Sequence, residues 1–226
     1  MNADRKFWND QQLELQTALA PSGDHLKAIE LFLSQHAMVH SAAMAQSGLW
    51  SFADEVLQDM PDEALRSIPL KGEHSVAWII WHIARIEDVT MNLLVAGTPQ
   101  ILHRDHWQVR MKATMQHTGN AMDVESVAQL SAVLDLQALL AYRIAVGRRT
   151  REIVQALQPQ DLKQKVDPAW LQRLRNEGAV VEAASEIIDY WGRRTKAGLL
   201  LMPPTRHNFL HLNEALRIKQ KTQVYK

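Results

Sequence analysis

Apolar residues recur every three or four positions along most of this chain, which is the period of a helix with one face turned inward. From His25 to about Ser47 the stripe runs Leu26, Ile29, Leu33, Ala37, His40 and Met44. A shorter amphipathic stretch over residues 5–20 precedes it and stops at Pro21-Ser22-Gly23-Asp24. Residues 74–96 carry the stripe Ile79, Ile83, Ile86, Thr90 and Leu93, closed by Gly97-Thr98-Pro99. Residues 126–157, rich in Leu and Ala and followed by Pro159, predict the longest helix. Residues 180–202 return to helix period, and Pro203-Pro204 predicts a break or kink before a last segment to about Gln220.

Between these segments the signals are weaker. Gly48, Pro61, Pro69 and Gly72 punctuate the first connection, where Asp54–Met60 has room for a helical turn. Residues 97–125 lack sustained period, and connections that long are often functional. Residues 161–178 are mixed, and no stretch alternates as a strand would. The expectation is an all-α protein: a four-helix bundle over about 25–47, 74–96, 126–157 and 180–220, interrupted at 203–204. Short accessory helices, a helical N-terminal segment over 1–22 and a long connection between the second and third helices complete one domain over 1–226.

Composition narrows the chemistry. Twenty-five basic and twenty-five acidic residues leave no net field to draw in nucleic acid or an anionic membrane. The late basic cluster Arg206, Arg217, Lys219, Lys221 and Lys226 reads as a solvated helix face and tail. With no cysteine, disulfides, thiolate ligands and a cysteine nucleophile are excluded, so a bound metal takes nitrogen or oxygen ligands. The polar start Met1–Lys6 leads into no apolar leader, and no apolar run reaches the length of about 18 residues that a membrane helix requires. A soluble, cytoplasmic protein is expected. The tetrapeptide Gly147-Arg148-Arg149-Thr150 returns as Gly192-Arg193-Arg194-Thr195, without flanking similarity; exposed arginines near helix ends are the simpler reading.

Histidines carry the candidate chemistry. His207 and His211, four apart, lie on one helical face and can grip one divalent ion that a third ligand from another helix completes. His36 and His40 have the same spacing, and with ten histidines in 226 residues chance supplies about 0.4 such pairs. Spacing alone therefore selects neither pair. Glu214 extends the stripe at 207 and 211, where a carboxylate can orient an imidazole or hold a water. The pair His36 and His40 lies near the apolar stripe of its own helix, where it either lines the same cavity or is buried on backbone carbonyls.

The helix Ser75-Val76-Ala77-Trp78-Ile79-Ile80-Trp81-His82-Ile83-Ala84-Arg85-Ile86-Glu87-Asp88, with the distant His207-x-x-x-His211, resembles the DinB/YfiT-like superfamily of metal-binding helical proteins. The resemblance implies a nickel or zinc ion on one histidine of the second helix and two of the last, here His82, His207 and His211. Two departures stand out: the histidine-bearing connection 97–125 and the insertion 158–204 before the final ligand helix.

Three neutral imidazoles leave the charge of a divalent ion uncompensated, so such a site activates a bound water or thiol. One chemistry is hydrolysis of a small ester or amide, with Glu214 or a pocket histidine such as His40 moving the proton. The other is transfer of a low-molecular-weight thiol to a small electrophile, favoured by the resemblance, which implies transferases and isomerases using mycothiol or bacillithiol. A non-catalytic metal- or ligand-binding stress protein is a third class. The resemblance also implies a homodimer, with Trp8, Trp50, Trp107 and Trp170 as contact or core residues.

Overall fold

The computed structural model describes residues 2–70, 72 and 74–224, without the side chains of 223 and 224. Among the described residues thirteen α-helices follow one another: α1 Ala3–Ala18, α2 His25–Val39, α3 Ala42–Ala45, α4 Phe52–Leu57, α5 Asp62–Arg66, α6 Val76–Asp88, α7 Trp107–Arg110, α8 Val124–Val133, α9 Leu136–Ala156, α10 Pro168–Asn176, α11 Glu186–Gly192, α12 Lys196–Leu200 and α13 Asn208–Val224. Two π-helical stretches, Val89–Val95 and Met202–His207, extend α6 and lead into α13. The described residues contain no strand, only an isolated bridge between Lys165 and Thr195, so the protein is all-α. No single described helix is long and apolar enough to cross a membrane.

The starts follow local chemistry. Asn2, Asp24, Ser75, Asp123 and Asp135 each accept a backbone N–H of the first turn of the helix that follows. Pro168 opens α10, where its missing N–H costs nothing.

Helix α6 is the central post. Every residue from Val76 to Asp88 is buried, so the inward stripe expected from the sequence is no stripe at all. It packs against α5, α8, α9, α13 and the second π segment. Its polar residues His82, Arg85 and Asp88 fasten the long connection. His82 Nδ1 meets the Thr118 carbonyl at 2.6 Å, Arg85 donates to the Gln116 carbonyl, and Asp88 accepts the backbone N–H groups of Ile101 and Leu102. The stretch expected to be an aperiodic loop is thus pinned at three heights, with a 3-10 turn at Ile101–His103 and helix α7.

Three sequence expectations need correction. The helix of 126–157 is two helices bent by 99°, because Asp135 caps α9 through the Ala138 N–H while its own N–H goes to the Met111 carbonyl. Leu134 and Leu136 keep the apolar period through the bend, which hides it in the sequence. The helix of 25–47 ends at Val39, and α3 follows as a separate short piece. The segment 180–220 is broken at residues 193–195, where Thr195 caps α12. At the double proline α12 has ended at Leu200, and the prolines sit in the π-helical run that leads into α13. Neither proline has an N–H for an α-helical ladder, and the wider turn takes both, with Thr205 Oγ1 donating to the Leu200 carbonyl at 2.9 Å.

Smaller expectations resolve as well. Trp8 and Trp107 are core residues, whereas Trp50 and Trp170 are partly buried. Lys219, read as solvated, caps α4 through the carbonyls of Glu55 and Gln58; Lys226 lies outside the described residues. The two Gly-Arg-Arg-Thr tetrapeptides diverge, since Thr150 is buried on Glu87 while Thr195 caps a helix.

Candidate metal centre

His82 projects from α6, His207 from the end of the second π segment and His211 from the first turns of α13. Each offers one nitrogen such that all three lie within 4.8 Å of one another, close enough to share one ion. The ring centroids stand 5.1 Å (82–207), 4.9 Å (82–211) and 4.5 Å (207–211) apart. His82 is buried, and His207 and His211 are partly exposed.

What lies behind each ring sets its tautomer. A carbonyl only accepts, so His82 Nδ1 carries the proton that bonds Thr118, and Nε2 keeps its lone pair. The ring is further clamped by stacking: His74 on Trp78 at 4.0 Å and Trp78 on His82 at 4.6 Å, all nearly parallel. His211 Nδ1 lies 2.9 Å from Glu214 Oε2, and His74 Nδ1 lies 2.7 Å from Glu214 Oε1. Partial burial works to raise the Glu214 carboxyl, yet the hydrogen bonds from His211 and His74 outweigh it and bring it down to about 2. Glu214 is therefore an anion that accepts, and His211 Nδ1 donates, which again leaves Nε2 for an ion. A carboxylate or carbonyl behind an imidazole is the usual support of a metal-ligating histidine. His207 Nδ1 is buried with no hydrogen-bond partner.

Two of the rings are also in the protonation state that ligation requires. Burial, then the neighbouring His211, pushes His82 down to about 3. Burial, with His82 and His211 nearby, holds His207 well below its ordinary value. On donor set and reach, the three residues fit a divalent ion.

The rival pair resolves differently. His36 and His40 do not join the other three; their Nε2 atoms lie 2.8 and 2.9 Å from the two oxygens of Glu87 on α6. Thr150 Oγ1 and Asn208 Nδ2 donate to the same carboxylate at 2.7 and 2.8 Å. These three residues also come within 4.8 Å of one another, but all four acceptor positions of Glu87 are in use and neither Nδ1 has a partner behind it. That is a closed hydrogen-bonded carboxylate, lacking the outer support that His82 and His211 possess. His40 is thus buried on a side chain and not, as one sequence reading had it, on backbone carbonyls.

Sequence reasoning did not single out His74, Thr118, Glu87, Thr150 or Asn208. For Glu87 a signal existed: an acidic residue in a helix whose other residues are mostly apolar.

A helical fold with three converging imidazoles defines a class of helical proteins with a candidate mononuclear metal centre. Within it, the chain belongs to the DinB superfamily, whose sequence model matches residues 48–198. The matched stretch holds His82 and ends before His207 and His211. A crystal structure described as the conserved protein of locus from Enterococcus faecalis is similar in fold, with a TM-score of 0.60 at 16% identity, over 84% of this chain and 94% of that one. No curated protein matches the chain.

Proposed function

We propose that this protein is a metal-dependent enzyme in which His82, His207 and His211 hold a divalent ion, nickel or zinc, and which joins a low-molecular-weight thiol to a small electrophile. The observation that carries the reading is the shared reach of three imidazoles, two of them backed by acceptors that leave Nε2 free. An ion held there supplies a Lewis acid that lowers the pKa of a bound thiol or water.

The chain's own residues supply the rest. Thr118 and the Trp78 stack fix the His82 ring. Glu214 fixes His211, and through its other oxygen links that ring to the partly exposed His74, a chain of three groups along which a proton can pass toward solvent. His40, sealed on Glu87, has no part in proton transfer in this reading. With no cysteine in the chain, the thiol comes from outside, and the resemblance to thiol-using relatives favours that chemistry over hydrolysis.

The test is to load the chelated protein with nickel or zinc and follow thiol consumption with a panel of small electrophiles. Metal-dependent thiol loss at one ion per chain supports the reading. Ester or amide cleavage without thiol replaces it with hydrolysis. A collapse of thermal stability on chelation, without turnover of either kind, makes the ion structural.

A further inference from the structure

Glu87 lies 0% exposed in a helix with no solvent face. A carboxylate taken that far from water persists as an ion only with compensation. Its oxygens collect four hydrogen bonds from three separate parts of the chain: His36 and His40 in and just after α2, Thr150 in α9 and Asn208 at the head of α13. Burial alone would raise the carboxyl, but His40 and His36, by charge and by hydrogen bond, hold it well below its ordinary value. Burial in turn pushes His40 down to about 4. Arg143 is the nearby cation; its guanidinium donates to the Val39 carbonyl, and among the described residues no lysine or arginine lies within 4.0 Å of Glu87. Among the described residues the buried carboxylate is thus held by four hydrogen-bond donors, with no lysine or arginine in contact.

Asn208 directly follows His207 and binds Glu87 by its side-chain nitrogen, which also meets the Pro204 carbonyl at 3.2 Å. A second anion, Glu214, stands behind His211. Two carboxylates thus flank the three imidazoles, one behind His211 and one bound by the residue that follows His207.

We infer that Glu87 is the buried counter-charge of the three-histidine site and that Asn208 ties it to the ligand helix. The inference rests on the metal reading above and assigns Glu87 as a positioning residue that acts by its field, with no contact to the ion.

Cobalt(II) provides the probe, since its ligand-field spectrum reports both binding and the ionisation of groups on the ion. In Glu87→Gln, with far-UV dichroism like that of the parent, cobalt affinity falls about tenfold and the pH midpoint of the spectral change moves down by about one unit. The sign follows from charge: with an anion removed, a bound group loses its proton more easily. A merely structural defect lowers affinity without moving the midpoint down, and that result overturns the inference, as does unchanged affinity. Asn208→Ala keeps the charge and cuts the tie, so it weakens cobalt binding while the midpoint stays; if Glu87→Gln does not fold, unchanged affinity in Asn208→Ala overturns the inference by itself. Failure of the parent protein to bind cobalt at all overturns the metal reading instead, which keeps the two claims separable.

Discussion

The Nδ1 atom of His82 lies 2.6 Å from the carbonyl oxygen of Thr118, thirty-six residues further along the chain. This one contact turns Nε2 toward His207 and His211 and ties the candidate centre to the long connection. Replacing His82, His207 or His211 with alanine removes one of three nitrogens, and we predict a loss of metal affinity of more than about 100-fold in each case. Competition against a chelator measures it. Stoichiometric metal at parental affinity in His82→Ala would dismiss His82 as a ligand and return His36 or His40 to consideration.

Glu214 offers a graded test of support without ligation. Glu214→Gln keeps the shape and loses the anion that accepts from His211 and His74, and affinity should fall by about 10–100-fold. His74→Ala should fall less, because His211 keeps its carboxylate. Equal losses in the two variants would mean that the stack of His74 on Trp78 matters more than the charge.

Acid should unfold the metal-free protein through its buried imidazoles. His40, brought by burial to about 4, binds its proton more weakly when folded than when unfolded, near 6.5. Its contribution is complete above pH 6.5 and is lost as pH falls from there toward 4, on the order of 3 kcal/mol. Glu214, depressed to about 2, adds a second loss below pH 4.5. Urea unfolding of chelated protein at several pH values reads the first window; stability unchanged between pH 7 and 4.5 would contradict a neutral, buried His40.

Gly147 faces His40 across the α2–α9 contact, and a Cβ there would stand 2.8 Å from both Cε1 and Nδ1 of that ring. Alanine normally gains in a helix over glycine, but here the overlap of ring and methyl outweighs it. Gly147→Ala should destabilise the protein by about 1 kcal/mol net, measured by denaturant titration. A stabilised variant would show that the His40 ring has room to shift, and with it the Glu87 network.

The all-α class, the start of most long helices and the face shared by His207, His211 and Glu214 are legible in the sequence, because a helix writes its period and its caps into neighbouring residues. Those signals are local, requiring only i, i+3 and i+4 relations and a Ser, Asp or Asn before the first turn. The bend at Leu134 and Asp135 escaped because its cause, the Met111 carbonyl, lies in another part of the chain. The two histidine pairs differ in the same way: spacing puts each pair on one face and says nothing of what that face meets. Folding sets His36 and His40 against a buried carboxylate and sets His207 and His211 beside His82. Which of two identical patterns is a candidate for metal and which is a closed hydrogen-bond network is a property of the packing around α6, since charge, tautomer and reach depend on the partner opposite each ring.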